Sequence, residues 1–187
     1  MSENQDGDAR VYLAGPDIYH PHAVEIVANK KSVCERYGLV GVSPLDIDGG
    51  RRQSGTPDDA LFIYRAAADL IAGCDALIAN MSPFRGPGLD AATALEMGIM
   101  AGKQGPVIGY SLDHQPYKAR LAHLLDVIDE AFVTVDGRLT TRDGHLVEDF
   151  QLTDTAMAAG AALAAGAPIA GDFETAVRWM RRLLRPA

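Results

Sequence analysis

The feature that most constrains this chain is the spacing of four short apolar runs, at residues 11–14, 39–42, 75–80 and 106–110. The first stops at Gly15-Pro16 and the second at Ser43-Pro44, both turn signals. Between the runs lie segments with helical periodicity. Residues 22–37 carry Val24, Ile26, Val27, Val33 and Cys34 among charges and stop at Gly38, a glycine C-cap. Residues 59–73 place Leu61, Ile63, Tyr64, Ala67, Leu70 and Ile71 on one side, and residues 89–102 form a third helical segment. Short strands that are apolar on both faces need cover on both, and parallel neighbours need a crossover connection. The pattern therefore predicts an α/β fold, with a parallel sheet and helices on both faces.

A chain of 187 residues suits one domain, large enough to bury roughly 70% of the surface its unfolded form exposes. The expected domain spans residues 11–187, preceded by a polar, disordered tail at residues 1–10 that is neither a signal peptide nor a presequence. Net charge is −8 with no run of Lys or Arg, so there is no electrostatic reason to bind nucleic acid or an anionic membrane. The expected partner is a small molecule that is not a polyanion. Cys34 and Cys74 form no C-x-x-C pair and read as buried free thiols, and residues 156–170 are too short to span a bilayer, which together predict a cytoplasmic protein. Residues 46–58 read as a long loop. Further helices are expected at 117–127, 153–165 and 172–184, and a hairpin at 132–147 around Asp136-Gly137 and Asp143-Gly144.

Ligands of such sheets sit beyond the carboxyl ends of the strands. That rule selects Gly15, Pro16 and Asp17, then Ser43-Pro44, residues 82–88 with Ser82, Phe84 and Gly88, and the loop after Tyr110. Glu96 is the only charge between Asp90 and Lys103 on an otherwise apolar helix. It either reaches a partner in a cleft or points out from a solvated edge, because an unpaired buried carboxylate is costly. Asp90 is a good N-cap and could also grip ligand hydroxyls. Tyr12, inside the first strand, is either an ordinary core aromatic or the group that orients a carboxylate. The glycines of residues 84–88 match no phosphate-binding fingerprint, and Asp90 would repel a phosphate there. The five histidines lack metal-ligand spacing, so neither a metal nor a cofactor is expected. Arg178, Arg181, Arg182 and Arg185 read as a solvated helix face.

Taken in order, four stretches resemble the nucleoside 2-deoxyribosyltransferase family. They are Val11-Tyr12-Leu13-Ala14-Gly15-Pro16-Asp17, residues 74–86 (CDALIANMSPFRG), Asp90-Ala91-Ala92-Thr93-Ala94-Leu95-Glu96-Met97-Gly98, and Val147-Glu148-Asp149-Phe150-Gln151-Leu152. The resemblance implies a flavodoxin-like sheet and a double displacement on 2'-deoxyribonucleosides. Glu96 matches the family's nucleophile, Tyr12 the tyrosine that positions it, and Asp90 the carboxylate that binds the sugar hydroxyls. The deoxyribosyl group then passes to a second free nucleobase or to water. A carboxylate at position 90 suits a free 5'-hydroxyl, whereas relatives that hydrolyse deoxynucleoside 5'-monophosphates tend to have a small hydroxyl residue there. Three positions differ from the family pattern. Ala67 stands where an Asp or Asn near the leaving base is usual, Ala92 replaces a glycine, and Thr155 replaces an asparagine that a neighbouring subunit often lends to the site. A homo-oligomer is implied. The alternatives are a non-catalytic nucleoside- or nucleotide-binding protein on the same fold, and a deoxynucleoside 5'-monophosphate N-glycosidase.

Overall fold

The structure is a computed structural model that describes residues 8–47 and 55–184. Strands β1 (Ala9–Ala14), β2 (Leu39–Val42), β3 (Ala76–Asn80) and β4 (Val107–Tyr110) form one sheet in the order β2-β1-β3-β4. Every pairing in it is parallel, with Tyr12 level with Val42 on one side and Leu77 on the other. Tyr110 adds a parallel bridge to Ala170 at the β4 edge. The winding reverses between β1 and β3, so the crevice that such a sheet offers a ligand opens at their carboxyl ends. β1 starts at Ala9, two residues before the apolar run, because Arg10 is held by two bonds. Its N–H donates to the Asp75 carboxylate and its carbonyl accepts from the Asp75 N–H, both at 2.8 Å. Residues 1–7 of the expected tail and 48–54 of the expected loop lie outside the described residues.

Strand alternation sorts the side chains into two cores. Val11, Leu13, Ala76, Ile78 and Ile108 face α1 (Ala23–Arg36) and α6 (Phe173–Leu184). Tyr12, Ala14, Leu77, Ala79 and Val107 face α2 (Pro57–Ala72), α3 (Ala91–Gly102) and α5 (Ala156–Leu163). A sheet buried on both faces is the reason its strands read as unbroken apolar runs. Both cysteines are buried and free.

Local chemistry sets the helix ends. Thr56 caps α2 in a reciprocal box with Asp59, and Asp90 caps α3. Helix α4 (Tyr117–Val127) has the expected bounds, and β5 (Val133–Val135) pairs antiparallel with β6 (Arg138–Thr140) through Asp136-Gly137, both at positive φ. α5 is shorter than the Ala-rich segment suggests. It starts at Ala156 because Asp154 and Thr153 are used elsewhere, and Gly166, at φ 79°, closes the turn that follows it. Its small residues Ala158, Ala159 and Ala162 pack within the chain. A Cβ on Gly109 of β4 would come within 3.2 Å of the Ala162 Cβ, which shows how closely helix and strand approach.

Gly15 ends β1 at φ +153°, where an added Cβ would lie 2.6 Å from the Asn80 Cβ. Gly15→Ala is expected to destabilise the protein by about 2 kcal/mol. Gly98, exposed on α3 with nothing within 4 Å of a built Cβ, offers the control. Gly98→Ala should stabilise by about 0.5–1 kcal/mol. Urea unfolding of both variants checks this, and equal effects would contradict the assignment of strain to Gly15.

Candidate active site

The inner face of α3 is marked by the buried residues Thr93, Met97 and Met100. At 100° per residue, Glu96 lies about 40° from Met100 and about 60° from Thr93, on the edge of that stripe. It therefore leans toward the sheet, and the reading in which it points into solvent fails. Tyr12, 0% exposed, rises from β1 on the same face and donates its hydroxyl to Glu96 Oε1 at 2.7 Å. Burial above all raises the Glu96 carboxyl, the Tyr12 bond lowers it and the nearby Asp90 charge raises it, so that together they bring it to about 7. Burial and the Glu96 charge push the Tyr12 hydroxyl above its ordinary range, so it remains a proton-bearing donor.

Asp90 opens the same helix. Its Oδ2 accepts from the Thr93 N–H and the Thr93 hydroxyl, both at 3.0 Å, so the N-cap reading holds. Both cap bonds use one oxygen. The Oδ1 atom accepts no hydrogen bond among the described residues, which leaves half of the carboxylate available to a ligand hydroxyl.

The other strand-end residues have partners of their own. Pro16 begins a 3-10 turn, Pro16–Tyr19. The Asp17 carboxylate is held by Lys30 Nζ at 2.5 Å and by Asn80 Nδ2 at 3.2 Å, and Lys30 also donates to the Tyr110 hydroxyl at 2.7 Å. Asp17 thus closes a partly buried ion-pair cluster instead of joining Glu96. Burial lowers the Lys30 amine from its usual range, and Asp17 opposes that. Asn80 Oδ1 accepts the Ser82 N–H at 3.1 Å, and Ser82 Oγ accepts the Leu112 N–H at 3.1 Å, which joins the loops after β3 and β4. Phe84 stacks on Tyr19 at 5.4 Å, with the Arg85 guanidinium 4.6 Å from the Phe84 ring centre. Gly88 packs beside Asp154, and Thr155 begins α5 without a side-chain cap bond. A cavity of about 390 Å³, lined among others by Ile18, Tyr19, Pro44, Leu45, Phe62 and Ile63, opens past the ends of β1 and β2 beside α2. Ala67 is half-buried on α2, Asp69 is exposed, and Ala92 is exposed on the first turn of α3.

Three charged residues of this region escape a sequence reading of the site. Lys30 had a signal: it continues the buried stripe of Val27 and Cys34 at helical spacing, where a charge needs a partner. Arg120 and Asp154 had none, since each falls inside an expected helix, 117–127 and 153–165, with no pattern that marks it as buried. Both are buried and paired with each other. Among the described residues, no group of three or more His, Cys, Asp or Glu could hold a metal ion. No helix among them is long and apolar enough to cross a membrane.

In solved structures, the chain is similar to a 2-deoxyribosyltransferase from Leishmania mexicana, at TM-score 0.67 and 26% identity, over 96% of this chain and 99% of that one. It shares its fold with a conserved protein of Enterococcus faecalis, at TM-score 0.59 and 17% identity, over 93% and 98% of the two chains. An uncharacterized protein of Schizosaccharomyces pombe is 29% identical over 171 residues, which is 87% of this chain and 81% of that protein. The family model described as nucleoside 2-deoxyribosyltransferase matches residues 11–157, which contain Tyr12, Asp90 and Glu96. The chain belongs to the nucleoside 2-deoxyribosyltransferase family.

Proposed function

We propose that this enzyme cleaves the N-glycosidic bond of 2'-deoxyribonucleosides with Glu96 as nucleophile, passing the deoxyribosyl group to a second nucleobase or to water. The observation that carries the reading is the 2.7 Å bond from Tyr12 to Glu96 at the carboxyl end of the sheet. Tyr12 occupies Oε1, and the remaining carboxylate oxygen attacks C1' as the base departs with the bonding electrons. The resulting glycosyl ester is opened by the incoming base or water from the opposite side, so two inversions give net retention. Asp90 accepts a sugar hydroxyl on Oδ1. Its charge favours a neutral 5'-hydroxyl over a 5'-phosphate. The apolar cavity between Tyr19 and Phe62 suits a flat base. The exposed Phe150 and Met157, on either side of Thr155 in sequence, offer apolar surface for a second copy that would complete the site. In a cytoplasmic setting, exchange of this kind serves nucleotide salvage.

Base release from deoxyinosine or deoxythymidine, with and without a second free base, tests the reaction by chromatography. Glu96→Ala should lower the rate at least about a thousandfold, on the order of 4 kcal/mol in the barrier. Unchanged turnover would remove Glu96 from the mechanism. Nucleoside binding without base release would select the non-catalytic alternative, and faster turnover of the 5'-monophosphate would select the monophosphate glycosidase.

The nucleophile must be ionised, so kcat/KM should rise with pH through about 7, the value to which burial lifts Glu96. The Tyr12 bond lowers that value, so Tyr12→Phe should move the acid limb of the profile to higher pH. A limb that stays in place or moves to lower pH would contradict the role given to Tyr12.

A further inference from the structure

We propose that Arg120 and Asp154 are positioning residues for the sugar end of the site, fixing Asp90 through the backbone on either side of Gly88. The inference rests on the reading that Asp90 contacts deoxyribose. Asp154, 3% exposed, accepts the Leu89 N–H on Oδ2 and the Thr155 N–H on Oδ1, both at 2.8 Å. Leu89 is the residue immediately before Asp90. Arg120, 8% exposed, donates to the Pro87 carbonyl at 2.7 Å, to the Gln115 carbonyl at 2.8 Å and to the Thr153 carbonyl. Its guanidinium also lies 3.8 Å from Asp154 Oδ2 and 3.9 Å from Asp113 Oδ1.

One buried ion pair therefore ties together three separate segments: the loop after β3, the loop after β4, and the residues leading into α5. Pro87 is gripped by its carbonyl and Leu89 by its N–H, so the chain enters Asp90 with little torsional freedom. The planar guanidinium serves three carbonyls at once, which a lysine ammonium cannot match in geometry. A carboxylate is equally specific at 154, because both of its oxygens face N–H donors. Asparagine would turn its NH2 group toward one of them and would leave Arg120 with less neutralising charge.

A double-mutant cycle separates positioning of Asp90 from general stability. Affinity for deoxyinosine is measured by calorimetry in the Glu96→Ala protein, which removes turnover, with Asp154→Asn, Asp90→Ala or both. Asp154→Asn should weaken binding about tenfold alone and less than about twofold when Asp90 is already alanine. In the Glu96-containing enzyme the same change should appear in KM, with kcat within about threefold. Equal weakening in both backgrounds, or none, overturns the proposal. If Asp154→Asn does not fold, Arg120→Lys takes its place, with a smaller loss that again vanishes in Asp90→Ala. Base release without this coupling overturns the positioning role alone, and the coupling without base release overturns the reaction alone.

Discussion

The site depends on one hydrogen bond between a strand and a helix, from the buried hydroxyl of Tyr12 to Glu96. A carboxylate in that position is largely desolvated, so its ionised form is held at a cost that the Tyr12 bond offsets in part. The folded state raises the Glu96 carboxyl from 4.5 to about 7. Folding therefore favours the protonated form. Glu96 leaves stability unaffected below the unfolded value and subtracts from it increasingly as pH rises from about 4.5 through about 7. A destabilised carboxylate is also a more reactive one, which links the fold's loss to the proposed chemistry.

Parallel strand order brings the partners together. β1 and β3 are neighbours at the point where the winding reverses, and side chains of alternate residues face α3. Tyr12 sits two residues before the end of β1, so its ring reaches the helix, whereas Leu13 and Asp17 serve the opposite face or its rim. The same edge is then tied by two ion pairs, one partly and one fully buried. Lys30 with Asp17 fastens β1, β3 and β4 through Asn80 and Tyr110, and Arg120 with Asp154 fastens the loops on the α3 side. Neither pair needs to stabilise the fold as a whole to matter, because buried ion pairs contribute geometry more dependably than energy.

Much of this is legible in the amino-acid sequence. Four apolar runs separated by helical periodicity point to a parallel sheet, because helical crossovers join parallel neighbours and cover both faces. Glu96 was visible as an isolated charge on an apolar helix, and Tyr12 as a polar aromatic inside a strand. What joined them, the 84-residue separation closed by the 2.7 Å bond, is a tertiary fact that periodicity does not encode. Asp17 was selected by its place at a strand end, yet its carboxylate is held by Lys30, a partner that only packing reveals. α5 is shorter than the expected 153–165 for a similar reason. An alanine-rich run has no internal stop, and the start is set by Asp154 turning to bond Leu89. Arg120 left no trace because burial of a guanidinium depends on carbonyls from three distant segments.

The central claim is that a glycosyl ester forms on Glu96. Acid-quenched mass spectrometry of the enzyme incubated with deoxyinosine, followed by peptide mapping, tests it most directly. The account predicts a 2-deoxyribosyl adduct on the peptide containing Glu96, lost when a second base is added before the quench. Base release with that peptide unmodified throughout, or with the adduct on another residue, would contradict it.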